Sequence, residues 1–218
     1  MARSVLGIQN WLPEETGKRL RVDTYQGRPD VSFLRLPFTR QEGDGFNANI
    51  VFRLRDAASR LGLTGDKLPV FYYEGQVTGL CGTALFEQGG AVYLECSDAE
   101  LGPDEETVST FEVTMVHELF HVFGAVASCA PNYTDLGGGH VKDVENDLMY
   151  VGADRQPRGG VTYVDVGRDD YYGHGRPDCN DVSRSRFLEP APGVAAGSRT
   201  VEVRLPAGDW PLRCALEH

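Results

Sequence analysis

The chain has 218 residues and a formal net charge of −11, with 41% hydrophobic and 10% aromatic residues. That is enough apolar material for one packed domain, with or without an extension, and it excludes a disordered chain. The negative balance repels nucleic acid and anionic bilayers at long range, so neither is expected as a partner, and no run reaches the length of a membrane span.

The opening "MARSVLGIQNWLPEETG" has neither the apolar core nor the small-residue cleavage site of an export signal, so any such signal is expected to have been removed. "RLRVDTYQ" (19–26) and "DVSFLRLPF" (30–38) carry β-branched and aromatic residues bounded by Gly, Pro and Asp, and read as strands. "FNANIVFRLRDAASRLGL" places Ile50, Leu54, Ala57, Ala58 and Leu61 at helical spacing, with Gly62 where a cap would end the helix. It predicts an amphipathic helix backing a sheet. "KLPVFYYEG" reads as a buried strand, and "GGAVYLECSD" sets Val92, Leu94 and Cys96 against Ala91, Tyr93 and Glu95.

A second helix is expected from Ser109, because "STFE" has the form of a capping box with Glu112 at the third helical position. From Val113 to Val126 apolar residues cover nearly its whole circumference, which predicts a central helix. The stretch from Asn132 to Phe187 is rich in Gly, Asp, Asn and Pro, predicting long loops that a function, a disulfide or a metal must fix. After the linker "EPAPGVAAG" the tail alternates Val201, Val203 and Leu205 as a last strand would, and the terminal "LEH" looks like a purification-tag remnant. The expected class is α+β, with a mixed sheet, a backing helix, a central helix and a loop-rich C-terminal part. The expected division is a main domain over 1–190, a linker and strand over 191–215, and the remnant at 216–218.

Five cysteines show no CxxC spacing. Cys81 and Cys96 flank a predicted hairpin and could close it. Cys129 and Cys179 could tie the loop after the central helix to the later Gly-rich segment, leaving Cys214 over. Disulfides imply an exported, extracellular protein, and buried thiols in a cytosolic one are the competing reading.

The chemistry lies in "HELFH". With His218 set aside, the histidines are His117, His121, His140 and His174, all in the second half. His117 and His121 are four apart, so on a helix both rings project from one face and can bind one metal ion, and Glu118 stands beside the first. Neutral imidazoles suit Zn2+, which makes bound water acidic near neutral pH, and an adjacent carboxylate can take the proton as that water attacks a carbonyl. Two satisfied core histidines beside a coincidental glutamate would be the bland alternative. Against it, imidazoles or a carboxylate left unpaired in so apolar a helix would cost about 1 to 3 kcal/mol each.

These residues resemble the zincin metallopeptidases, and among them the metzincins. "HELFHVFG" matches the first eight positions of the pattern HExxHxxGxxH, and "DLMY", with Met149, resembles the methionine turn of those enzymes. The position of the third ligand holds Ala127, so a residue beyond the helix must complete the set. His140 comes first, with Asp143, Asp147 and His174 as alternatives; Asp143, Glu145 and Asp147 could instead form a solvated acidic turn or a Ca2+ site. The resemblance implies a secreted zinc peptidase acting on a peptide or protein substrate. Glu118 would be the general base, Tyr150 a candidate oxyanion donor with Tyr171 and Tyr172 behind it, and "AVYLEC" the edge strand that pairs with substrate. A monomer is expected. Competing readings are a dedicated zinc amidohydrolase or peptide-modifying enzyme of narrow specificity, and an extracellular binding module with a structural metal. Glu118 argues against the last, since a structural site fills all four positions with protein and needs no carboxylate beside its ligands.

Overall fold

A computed structural model describes residues 1–77, 79–96, 108–136, 138–151 and 162–193. The expected C-terminal strand, Cys214 and the terminal remnant lie outside the described residues. The class is α+β.

The chain opens on a helix that no sequence expectation covered, α1 (Ala2–Thr16), which buries Ser4, Gly7, Ile8, Trp11, Leu12 and Glu15 at spacings of three and four. Gly17 closes it in the left-handed conformation, donating its N–H to the Pro13 carbonyl. The segment 19–26 is not one strand but parts of two. β1 (Lys18–Leu20) pairs antiparallel with β9 (Leu188–Pro190), and β2 (Thr24–Tyr25) pairs with β3 (Arg28–Pro29). Gln26 and Gly27 between them both have positive φ, as a two-residue hairpin turn requires. Residues 30–38, also expected as a strand, form none. A strand needs a neighbour for its backbone, and here Val31 and Phe33 are exposed to solvent at 45% and 89%.

A short helix, α2 (Arg40–Asp44), starts on a Thr39/Glu42 capping box. The expected backing helix follows a 3₁₀ turn as α3 (Ile50–Arg60), and buries Ile50, Val51, Leu54, Ala57 and Ala58. Leu61 falls past its end and is exposed.

Three strands form the main sheet, β4 (Val70–Tyr73), β5 (Gly82–Leu85) and β6 (Gly89–Tyr93), in the order β4-β6-β5. β4 runs parallel to β6 and β5 antiparallel to it, so the sheet is mixed. This overturns the expectation that "AVYLEC" is the edge strand: β6 is central, and β5 is the antiparallel edge. All five residues of β6 are buried because α3 covers one face and α4 (Thr110–Val122) the other. Ala91 and Tyr93 pack with Ile50, Val51 and Leu54, whereas Val92 packs with the central helix. The strand ends at Tyr93, so the alternation read through Leu94 stops short, and Leu94 is exposed. The central helix begins on the expected Ser109/Glu112 box and carries the larger core, where Met115, Val116, Leu119 and Phe120 meet Ile8, Trp11 and Leu12 of α1. No described helix is long and apolar enough to cross a membrane.

Both possible pairings form, Cys81–Cys96 across the β5–β6 hairpin and Cys129–Cys179 across 50 residues of chain. Closing a loop of that length restricts the unfolded chain by about 4 kcal/mol at room temperature, against about 3 kcal/mol for the shorter one. Replacing both Cys129 and Cys179 by Ser is therefore expected to cost about 4 kcal/mol of the domain's stability, read from urea unfolding. A loss below that of the Cys81/Cys96 pair would contradict the loop-length argument.

Candidate metal centre

Two of the three converging histidines are a local consequence of α4, and the third needs the loop. α4 ends at Val122 and the chain reverses at Gly124, whose φ of 87° few side chains tolerate and where a Cβ would lie 2.8 Å from Phe86 and Asn180 atoms. The next residues meet the returning loop, with the Val126 N–H on the Gly139 carbonyl. That contact delivers His140, first residue of β8 (His140–Val141), which pairs with β7 (Tyr133–Thr134). Ala127 takes no part in the cluster.

The Nε2 atoms of His117 and His121 lie 3.1 Å apart, those of His121 and His140 3.2 Å, and those of His140 and His117 3.3 Å. On the far side of each ring Nδ1 faces a backbone carbonyl: Leu148 for His117 at 2.8 Å, Ala125 for His121 at 3.1 Å, and Gly138 for His140 at 2.9 Å. A carbonyl can only accept, so each Nδ1 carries the ring proton and the neutral ring presents its Nε2 lone pair to the other two. Three lone pairs turned on one point repel unless a cation stands there. For metal–nitrogen bonds of about 2.0 to 2.1 Å in a tetrahedron, neighbouring ligands sit roughly 3.3 to 3.4 Å apart, close to the triangle observed. The residues therefore fit a single metal ion bound on one face by three imidazoles. His117 and His140 are buried and His121 half-buried.

Neither the protein-family models, nor the curated proteins, nor the solved structures compared with this chain match it. The site's own geometry must carry any functional reading.

Glu118 is 7% exposed and its side chain rests on β5. Of the alternative third ligands, Asp143 accepts from the Asn132 side chain at 3.2 Å. His174 is half-buried, its two ring nitrogens engaged with the Asn180 carbonyl and the Arg176 N–H. Neither belongs to the histidine cluster, and nor does Asp147. Asp147 instead holds the turn 147–150: its Oδ1 accepts from the Met149 N–H and the Tyr171 hydroxyl, both at 2.7 Å, and its Oδ2 from the Val166 N–H at 2.8 Å. This turn presents the Leu148 carbonyl to His117, with Leu148 and Met149 fully buried in the core shared with α4. Tyr150 closes the turn, donating its N–H to the Asp147 carbonyl and bridging Val141 beside His140, and it is half-buried. Tyr171 and Tyr172 are interior: the Tyr171 hydroxyl also accepts from the Asp165 N–H, and that of Tyr172 donates to the Thr16 carbonyl. Both are thus taken up by the scaffold.

Asp143, Glu145 and Asp147 do not converge as a Ca2+ site would require. The acidic group that does come together is Asp165, Asp169 and Asp170. There the Asp165 carboxylate accepts the backbone N–H groups of Asp169, Asp170, Tyr171 and Tyr172, and Asp170 holds Asn132. Its work is to fold the loop. What sequence reading missed was the supporting role of Asp147, although an aspartate bonding the N–H two residues on is a recognised turn signal.

Burial pushes the Asp147 carboxyl up to about 7 despite the lowering pull of its three hydrogen bonds. An acid raised above its unfolded value of 3.8 holds a proton in the folded state that the unfolded chain has already released. Its stabilising contribution is complete below the unfolded value and is lost as pH rises through the folded one. In chelator, wild type is expected to lose stability relative to Asp147→Asn, which cannot titrate, as pH rises from about 4 to about 7. Urea midpoints read the difference, and a flat one would contradict the raised value.

Proposed function

We propose that this protein is a secreted zinc-dependent hydrolase of peptide bonds, resembling the metzincins but with His140 as its third ligand. The observation that carries the reading is the triangle of Nε2 atoms with every Nδ1 committed to a carbonyl, directly beside a glutamate. His117, His121 and His140 would hold the zinc. Bound there, zinc supplies an electrophile that polarises a carbonyl and acidifies water. Three protein ligands leave a coordination position open, which supports catalysis over a structural role.

Glu118 does the proton work. Its carboxylate takes a proton from the water that attacks the scissile carbonyl and delivers it to the leaving amine, so that one group serves as base and then as acid. The edge strand β5 lies on the same side of α4 as Glu118, and an extended peptide can add to such an edge through main-chain hydrogen bonds. Two disulfides are compatible with an oxidising compartment, in keeping with export.

The test is a peptide library incubated with protein stripped of metal and then reloaded with zinc. Cleavage that depends on zinc, disappears with chelator and returns on reloading supports the proposal. No cleavage of any peptide by fully loaded protein would overturn it.

A further inference from the structure

We propose that Gly82 sets the orientation of the Glu118 carboxylate, an inference whose catalytic consequence rests on reading Glu118 as the proton carrier. α4 crosses a face of the sheet on which β5 and β6 present Gly82 opposite Val92 and Ala84 opposite Gly90. Two glycines thus underlie the helix, and neither has a positive φ, so backbone conformation does not demand them. Room does, and at one of them only.

A Cβ built on Gly90 would sit 3.5 Å from the Glu118 Cβ and 3.6 Å from the Val122 Cγ2, which is ordinary contact. A Cβ on Gly82 would sit 2.5 Å from the Glu118 Cγ, 2.6 Å from its Oε1 and 2.8 Å from its Cδ. The glutamate side chain thus runs through the space where any other residue at 82 would place its first carbon. The strand cannot simply withdraw: Cys81 is bonded to Cys96, and its carbonyl accepts from the Tyr93 N–H at 2.9 Å. On the other side the Glu118 Cβ is fixed by α4, and a helix leaves few alternative rotamers. A methyl group at 82 therefore swings the carboxylate away from β5. Misplacing a reacting group by about 1 Å can cost on the order of 10²-fold in rate.

Gly82 touches no reacting atom in this scheme; it is a positioning residue, and its signature is that its effect requires the Glu118 side chain. The experiment compares Gly82→Ala and Gly90→Ala, each alone and combined with Glu118→Ala, reading Tm of the metal-free protein, metal per chain, kcat and KM. Gly82→Ala is expected to lower Tm by several degrees in the wild-type background and by far less once Glu118→Ala has removed the overlapped atoms. It should lower kcat roughly 10²-fold with KM and metal content held, while Gly90→Ala changes kcat less than about threefold. An equal loss of Tm in both backgrounds, a double variant that fails to fold along with the single one, or an unchanged kcat would overturn the proposal. Wild-type protein that loads zinc but hydrolyses nothing would defeat the hydrolase reading instead, and the Tm comparison would still decide whether Gly82 holds Glu118.

Discussion

Glu118→Gln is expected to lower peptide hydrolysis by about 10² to 10⁴-fold while metal content and fold remain those of the wild type. The amide keeps the size and most of the packing of the carboxylate against β5 but cannot accept a proton, so the loss falls on kcat rather than on KM. The substitution leaves all three imidazoles in the chain, with their Nδ1 atoms resting on the carbonyls of Leu148, Ala125 and Gly138. Steady-state kinetics beside elemental analysis separate the two effects. Retained hydrolysis with full metal would remove Glu118 from the chemistry and require another group to carry the proton.

Removing the metal is expected to lower stability sharply, and His140→Ala to abolish the difference between loaded and stripped protein. A ligand that binds only the folded state adds about 4 kcal/mol at a thousandfold excess over its dissociation constant. For a domain of this size that corresponds to a rise in Tm on the order of 10 °C. His140 supplies one of three nitrogens, and its loss leaves the helical pair alone, so both metal content and the thermal shift should collapse. Asp143→Ala, whose carboxylate bonds Asn132 and stands outside the cluster, should keep both. Calorimetry with and without zinc, alongside metal content near one per chain in the wild type, reads the result. A thermal shift that survives in His140→Ala would place the third ligand elsewhere.

The two halves of the centre were legible in the sequence to different degrees. His117, Glu118 and His121 needed only the helix, whose start was marked by the Ser109/Glu112 box; its apolar run was read on to Val126, whereas it ends at Val122, before the turn at Gly124. His140 could be ranked first but not chosen, because Asp143 and Asp147 are chemically acceptable ligands at comparable loop distances, with His174 a further imidazole set lower by its spacing. Cys81–Cys96 and Cys129–Cys179 were open to the sequence as possible pairings, since a hairpin and a long loop each needed closing, but the connectivity itself was fixed only by the fold. The helix α1 was overlooked although Ile8, Trp11, Leu12 and Glu15 already show its period, since Gly7 and Pro13 interrupt the pattern. The strand expected over 30–38 had the right residues and no neighbour.

By itself the sequence determined what depends on residues a few positions apart: the paired imidazoles on one helix face, the cap that starts that helix, and the α+β pattern of strands and helices. These follow from the 3.6-residue turn of the helix and the two-residue alternation of the strand, which any reader of the chain can count. Only the tertiary structure decided which loop residue joins the pair, that β5 and not β6 is the edge beside Glu118, and that Asp147 supports the site without entering it. Each of those is a choice among residues far apart in the chain, made by which surfaces bury against one another, and local spacing carries no record of it.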